Sequence, residues 1–238
     1  MVVDMKLLTR RKTLLAAAAL IASPAIVRAG WLPLVGAAAG NPTVTWNPAD
    51  KAPNILLSNG NLTATGQTDT SGTWNSVRAT LSQSAGKRYF ENTYVSGGGC
   101  VLGVASAGGT LAGHYVGSLG ASGSIGEYTG SLQLREGYVT TSFSAISAYP
   151  TGSVLGFVLD LDTGKGFVSL NNDFTFGGKF TSSNPVTEAN PAFVFTANST
   201  LFPATSSAYL SSAFTVTTLA ASGTFAYSPP SGVIAWNA

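Results

Sequence analysis

Charged side chains are scarce in this sequence. Asp, Glu, Lys and Arg make up 9% of its 238 residues, whereas an ordinary soluble domain contains about 25%. Disordered chains are charged and poor in aromatic residues, but 45% of this sequence is hydrophobic and 10% is Phe, Trp or Tyr. The composition therefore excludes a disordered chain. It also lacks the Ala, Glu, Lys, Leu and Arg mixture of a long coiled coil.

An excess of positive charge is also missing. The formal net charge is +2. Five of the 12 bases but only one of the 10 acids lie in residues 1–29, so the rest of the chain carries seven bases and nine acids, a net charge of −2. Because nucleic acids and anionic lipids attract basic surfaces, we expect neither as a partner.

Cysteine and histidine occur once each, as Cys100 and His114. A single cysteine excludes an internal disulfide framework, and its apolar surroundings predict a small buried side chain. A zinc site usually takes three or four His, Cys or carboxylate ligands, so no metal is expected. The glycines at 97–99 precede a predicted strand rather than a helix, so they do not predict a phosphate site. The sequence predicts no cofactor.

The first thirty residues have the layout of a secretory signal peptide. A basic segment, Lys6–Lys12, precedes an apolar run, Leu14–Val27, and small residues follow at Ala29 and Gly30. The apolar run is shorter than the ~20 residues that a spanning helix needs, so no stable membrane span is expected.

The motif Thr9-Arg10-Arg11 resembles the twin-arginine export consensus, although Thr13 stands where that consensus has Phe. The alternative is an uncleaved N-terminal helix that docks on the body or on another subunit. We therefore predict three parts: a leader over 1–29, a Pro- and Gly-rich linker over 30–42, and one β-domain over 43–238.

The predicted domain reads as short strands separated by turns. Runs of β-branched and aromatic residues alternate with Gly, Ser and Asn, and no good helical stretch follows Thr43. The predicted strands are Thr43–Trp46, Ile55–Ser58, Asn61–Ala64, Ser76–Leu81, Arg88–Val95, Cys100–Ser106, Ser124–Tyr128, Ser131–Leu134, Val154–Leu161, Gly166–Leu170, Ala192–Thr196 and Ala213–Thr217.

Turn and alternation patterns refine this prediction. Asn59-Gly60 is typical of a hairpin turn, because both residues tolerate positive φ. In the run 154–162, Phe157, Leu159 and Leu161 alternate with Val158, Asp160 and Asp162, so one strand face is apolar and the other ends in carboxylates. Many short antiparallel strands without helices predict an all-β fold of two packed sheets or a barrel.

Several motifs, in order along the chain, resemble the SPRY family. The strongest is Gly152–Asp162, GSVLGFVLDLD, which is similar to the family's GDVIGVxLDLD strand. The other matches are the opening Trp46–Ile55, GKRYFE at Gly86–Glu91, Leu102–Ala105, Phe193 after Pro191, and the tail Phe225–Gly232. Together they cover residues 43 to 233, and the tail resembles that of bacterial and phage members.

The resemblance implies a bent, concanavalin-like antiparallel β-sandwich. It also implies a role, since SPRY domains bind short peptide or protein epitopes through loops at one edge of the sandwich. Three features depart from the family pattern: Leu170–Phe174 lacks the hairpin glycine, Ile125-Gly126 replaces a Trp-Gly pair, and Ser206–Ser222 interrupts the last strand. The rim loops are therefore individual to this chain.

One rim loop can be carried over from the resemblance. The segment Leu111–Gly120 is similar to the loop of peptide-binding members that presents a Tyr and a Leu to the ligand, which are here Tyr115 and Leu119. His114 lies in the same loop, and the segment 67–74, ending in Trp74, is expected on the same rim. An exposed Tyr beside an exposed Trp makes a good binding anchor. The alternative is that Trp74 and Tyr115 close the end of the core.

No catalytic arrangement stands out. Asp160 and Asp162 lie on one strand face at a spacing that could suit a glycosidase pair, but a structural role at the strand end is favoured. His114 has no nucleophile in a recognisable motif. We therefore predict that the protein is not an enzyme.

The predicted function is a binding module that recognises a protein or peptide and is exported to the periplasm or the extracellular space. Two alternatives remain open. One is a phage virion decoration or attachment protein. The other is a lectin-like glycan-binding domain, in which Trp46, Trp74 or Trp236 could stack on sugars.

Overall fold

The structure of the protein is a computed structural model. It describes residues 42–67, 73–96, 100–108, 110–118, 122–128, 131–136, 139–143, 150–176, 180–207, 214–218 and 225–238. The predicted leader, the linker up to residue 41, and Leu119 lie outside these residues. Within these ranges, no helix has the length and hydrophobicity needed to span a membrane.

The described residues form strands and turns and no helix. The strands, numbered in chain order, are β1 (Trp46–Lys51), β2 (Ile55–Ser58), β3 (Thr63–Gly66), β4 (Asn75–Ala79), β5 (Lys87–Ser96), β6 (Cys100–Ser106), β7 (Ser122–Tyr128), β8 (Ser131–Glu136), β9 (Val139–Phe143), β10 (Val154–Asp160), β11 (Lys165–Leu170), β12 (Phe193–Val194), β13 (Leu201–Ser207), β14 (Phe214–Thr218) and β15 (Ile234–Ala235).

These strands build two sheets. In the described chain, the first sheet has seven strands in the order β1-β4-β13-β6-β7-β8-β9, and the second has eight, in the order β12-β11-β10-β5-β14-β3-β2 with β15 beside β5. All pairings are antiparallel except the short one between β15 and β5. The predicted all-β fold of two antiparallel layers is confirmed.

The core between the sheets contains the large apolar side chains of the inner faces. Phe90 on β5 pairs with Phe157 on β10, and their rings stack at 4.8 Å and 7°. Trp236 lies edge-on to Phe90 at 5.3 Å. Trp46 and Trp236 are fully buried, so neither can stack on a sugar, and that part of the lectin interpretation is wrong.

The eight-stranded sheet is also covered on its outer face, by the segment 225–233. Tyr89, Val158 and Phe167 form a second buried cluster there with Val233, and Phe225 packs edge-on against Tyr89 at 5.0 Å. Gly156 makes room for this packing, because a Cβ at that position would lie 2.7 Å from the Tyr89 hydroxyl. Residues on both faces of β10 are thereby buried, as its near-continuous apolar sequence, VLGFVLD, requires.

A buried carboxylate fastens this C-terminal segment to the sheet. Glu91 is fully buried, and it accepts hydrogen bonds from the Tyr89 hydroxyl at 2.7 Å and the backbone amides of Ala226 and Tyr227 at 2.7 and 2.9 Å. Burial, together with the bond to Glu91, raises the pKa of Tyr89 well above its ordinary value. The carboxylate thus replaces its lost hydration with three donors.

Strand β13, which the sequence analysis missed, lies in the middle of the seven-stranded sheet between β4 and β6. Its sequence, LFPATSS, contains Pro203, and proline is usually confined to edge strands. Pairing with β4 begins only at Ala204, one residue after the proline. On the same side of the strand, Leu201 bridges to Gln83, so Pro203 is tolerated in the gap between that bridge and the pairing with β4.

The turn after β11 is made without a glycine. Asn171 and Asn172 adopt positive φ of 50° and 69°, a conformation that asparagine tolerates better than most residues. The Asn171 side chain also accepts a hydrogen bond from the Val154 amide at 2.9 Å. Two asparagines therefore make the turn that glycine makes elsewhere.

Candidate functional site

The candidate site is a surface at one edge of the sandwich, which we call the rim surface and define as Trp74, His114 and Tyr115. Trp74 immediately precedes β4, and the other two residues lie in the loop 110–118 after β6. The loop runs antiparallel to the start of β4: the Gly113 amide donates to the Trp74 carbonyl at 2.7 Å, and the Ser76 amide donates to the Leu111 carbonyl at 3.1 Å. Backbone pairing therefore fixes the loop beside Trp74.

Two apolar residues anchor the loop in the core. Val116 is fully buried and Leu111 is 7% exposed, and both belong to the main core cluster. Burying each side chain favours the observed loop position by roughly 1.5–3 kcal/mol. His114 and Tyr115, which lie between these anchors, are half-buried.

A pair of buried serines holds the same loop from below. The Ser76 hydroxyl donates to the His114 carbonyl at 2.6 Å and lies 2.7 Å from the Ser206 hydroxyl. Ser206 in turn accepts a hydrogen bond from the Val116 amide at 2.7 Å. Since β4 and β13 are adjacent strands, the rim loop is tied to two strands of the sheet rather than to one.

The tip of the loop is closed by a turn at Tyr115. Its carbonyl accepts hydrogen bonds from the Ser118 amide at 2.9 Å and from the Ser118 hydroxyl at 2.8 Å. Gly113 and Gly117 adopt positive φ of 82° and 103°, which other residues rarely adopt. The backbone on either side of Tyr115 is thus held in one conformation.

The rings of Trp74 and Tyr115 lie against each other, with centroids 5.1 Å apart and planes inclined at 55°. Trp74 also packs against the main core, and both residues keep part of their surface exposed. Such a pair offers a rigid apolar area with polar N–H and O–H tips, which is the composition of a binding anchor.

The structure therefore brings together three of the four residues that the sequence analysis proposed for the site, while Leu119 lies outside the described residues. Sequence reasoning missed Ser76 and Ser206, which position the loop. Serine is common in this chain, so no sequence signal distinguishes these two from the others.

The carboxylates considered for catalysis have structural partners. Asp160 is 2% exposed and accepts hydrogen bonds from the amides of Asp162 and Thr163. Asp162 accepts one from the Gly86 amide at 2.9 Å. The pair closes the turn after β10, and no described cluster of three His, Cys, Asp or Glu side chains could hold a metal ion.

A second polar cluster lies around Glu188. Its carboxylate contacts the Lys87 ammonium at 2.6 Å and the Lys165 ammonium at 3.2 Å. The hydrogen bonds to Lys87 and Lys165 lower the pKa of Glu188, and the bond to Glu188 raises the pKa of Lys87. The three side chains fasten the loop 183–190 to β5 and β11.

Comparison with known proteins identifies the fold. No family model and no curated protein matches the sequence. Among solved structures, the TRIM65 PSpry domain is 20% identical with a TM-score of 0.53, covering 75% of this chain and 93% of that one. The SPRY domain of human HERC1 is 17% identical with a TM-score of 0.52, covering 73% and 96%.

A third solved structure, that of stonustoxin, is 18% identical with a TM-score of 0.51. The match covers 76% of this chain and 27% of the stonustoxin chain. At these identities the likeness concerns the fold alone. The motifs along the sequence, the two antiparallel sheets and these neighbours together show that the described body of this chain has the SPRY fold.

Proposed function

We propose that this protein is a non-enzymatic recognition module that binds a protein or peptide through the rim surface. The single observation that carries the proposal is the Trp74–Tyr115 pair: two half-buried aromatic rings lie 5.1 Å apart, one just before β4 and the other on a loop that is tied to two strands. A surface that is already rigid loses little conformational entropy on binding. The SPRY resemblance supports the same conclusion, since it implies binding through loops at this edge.

The chemistry of the rim surface fits an uncharged or mixed peptide segment. The Trp74 and Tyr115 rings supply an apolar centre, and the His114 imidazole beside them can donate or accept a hydrogen bond. An interface centre of this kind, aromatic and poor in charge, is typical of protein-binding surfaces.

The proposal extends to location. The layout of residues 5–30 supports export to the periplasm or the extracellular space, and display on a virion is the alternative. Mass spectrometry of the native protein distinguishes the two: a first residue near Gly30 supports export, and an intact Met1 favours assembly into a particle.

Selection from a random peptide library tests the binding role directly. Purified protein is the bait, and the Trp74→Ala variant is used for counter-selection, so that only peptides dependent on the rim surface are recovered. The expected result is a family of related peptides that bind the wild-type protein and not the variant. Repeated failure to recover any such peptide, with a bait shown to be folded, contradicts the proposal.

A further inference from the structure

The rim loop 110–118 has a further attachment point, at the residue where the chain leaves β6. The guanidinium of Arg78, on β4, donates from Nη1 to the Ser106 carbonyl at 2.8 Å. Ser106 is the last residue of β6, and only four residues separate it from Leu111, the first core anchor of the rim loop. The bond therefore fixes the start of the segment that carries the rim surface.

The same guanidinium binds Asp50 through its other edge. Nε lies 2.8 Å from Oδ2 and Nη2 lies 3.0 Å from Oδ1, which is the bidentate geometry of a strong arginine–carboxylate pair. Asp50 comes from β1, whose pairing with β4 is irregular between Trp46 and Lys51. One arginine thus joins β1 and β4 to the end of β6.

Burial makes the arginine dependent on these contacts. The Arg78 side chain is 6% exposed and that of Asp50 is 31% exposed, and Asp50 is the one acidic partner of Arg78 in the described part of the chain. A buried guanidinium has lost most of its hydration, so the carboxylate and the carbonyl must replace the lost water. Without the Asp50 charge, hydration of the guanidinium competes with its bond to Ser106.

Arg78 and Ser76 share one face of β4, because side chains two residues apart on a strand point to the same side. Ser76 donates to the His114 carbonyl at 2.6 Å, and Arg78 donates to the Ser106 carbonyl. One face of β4 therefore holds the loop segment both at its base and near its tip. The two attachments differ in kind, since only the attachment at the base depends on an ion pair.

From these contacts we propose that Asp50 and Arg78 are positioning residues of the rim surface. The ion pair holds Ser106, and through it the loop, in the conformation in which Trp74 and Tyr115 bind. The inference rests on the binding role proposed above and adds two residues that lie outside the rim surface. If the loop adopts the competent conformation for only a fraction of the time, the apparent Kd rises by the inverse of that fraction.

Native-state hydrogen exchange of the free protein tests the positioning role without any ligand. The Gly113 amide donates to the Trp74 carbonyl and the Val116 amide to the Ser206 hydroxyl, so both amides report on loop opening. Asp50→Asn removes the charge and keeps the size. It should speed the exchange of these two amides about tenfold more than that of amides in the middle of β10. An equal effect on loop and core amides, which a merely structural ion pair would give, overturns the proposal.

Glu188→Gln is the matched control for the loss of charge. Glu188 is 29% exposed and also binds two donors, Lys87 and Lys165, but on the eight-stranded sheet. This variant should leave the exchange of the rim-loop amides at wild-type rates. Equal rim-loop exchange in Asp50→Asn and Glu188→Gln contradicts a positioning role for Asp50.

Two conservative variants separate charge from geometry. Asp50→Glu keeps the carboxylate at a half-exposed position and should restore most of the protection of the rim loop. Arg78→Lys keeps the positive charge but loses the planar fork that binds Asp50 and Ser106 together, so it should loosen the loop as Asp50→Asn does. Wild-type exchange in Arg78→Lys would show that the fork does not hold the loop.

The affinity of a peptide selected on the rim surface supplies the second measurement. Asp50→Asn should raise its Kd about tenfold, and Glu188→Gln should leave it unchanged. If the loop amides respond but no rim-dependent peptide is ever recovered, the binding function fails and the attachment of the loop stands. If a recovered peptide binds Asp50→Asn as tightly as the wild type, the positioning role fails and the binding function stands.

Discussion

The hydroxyls of Ser76 and Ser206 lie 2.7 Å apart in the buried layer beneath the rim loop. Ser76 comes from β4 and Ser206 from β13, and between them they bind the His114 carbonyl and the Val116 amide. The position of the half-buried aromatic pair therefore depends on two small polar groups buried beneath the loop.

Replacing Ser206 by Ala should destabilise the fold and loosen the rim loop. The change leaves the buried Val116 amide without its acceptor and removes one of the two hydrogen-bond contacts of the Ser76 hydroxyl, which costs about 1–3 kcal/mol. Urea unfolding measures the loss. Ser207→Ala is the control, because the buried Ser207 hydroxyl has no partner within the described residues, so its removal should be neutral or stabilising. A Ser206→Ala variant as stable as Ser207→Ala would contradict this account of the loop.

Glu91 should be among the most sensitive positions of the fold. Glu91→Gln keeps the size but offers an NH2 group where three donors converge, so it should cost about 2–3 kcal/mol of unfolding free energy. Tyr89→Phe removes one of the three donors and should cost only about 1 kcal/mol. If denaturant unfolding gives the reverse order, Glu91 does not fasten the C-terminal segment as described.

The contacts of Glu188 should make stability depend on pH at the acid end. Lys87 and Lys165 lower the pKa of Glu188 in the folded state, so its contribution is present above the unfolded pKa of about 4.3 and is lost as pH falls through the lower folded pKa. The difference in urea midpoint between wild type and Glu188→Gln should therefore be constant near neutral pH and vanish at strongly acid pH. A difference that persists in acid, or that does not decrease with added salt, would rule out the ionic origin.

Two glycines with the same backbone strain should respond differently to alanine. Gly164 and Gly60 both have positive φ, 73° and 62°, but a Cβ at Gly164 would lie 2.1 Å from the Phe195 carbonyl oxygen, while one at Gly60 meets nothing within 4 Å. Gly60→Ala should cost about 1 kcal/mol for the backbone alone, and Gly164→Ala about 2 kcal/mol or more, since the backbone must also shift. Thermal unfolding of the two variants checks this order.

The sequence predicted the fold well where apolar runs end at clear turn residues. Strands β2 and β6 have the predicted bounds, Ile55–Ser58 and Cys100–Ser106. The predicted hairpin turn after β2 is present: Asn59 and Gly60 adopt positive φ of 52° and 62°, and Asn61 adopts one of 64° as well. The first predicted strand was displaced, since β1 begins where it was expected to end.

The features that the sequence did not predict depend on contacts between segments that are distant along the chain. Strand β13 escaped prediction because Pro203 and a polar ending mask its pattern, and its central place comes from pairing with β4 and β6. The burial of Glu91 arises because residues 225–233 fold over a face that the strand alone leaves open. The pairing of Trp74 with Tyr115 was anticipated from a family resemblance, not from spacing, and the serines beneath it were not anticipated.

The most direct test of the account is the affinity of a selected peptide for wild type, Tyr115→Ala and Tyr227→Ala, measured by titration calorimetry. Tyr227 is the matched control, a half-buried tyrosine in the C-terminal segment on the other sheet. The account predicts that Tyr115→Ala weakens binding by about 2 kcal/mol, roughly thirtyfold, as for an interface hot spot, while Tyr227→Ala leaves it unchanged. Equal affinities of the wild type and Tyr115→Ala would show that the rim surface is not where this protein binds its partner.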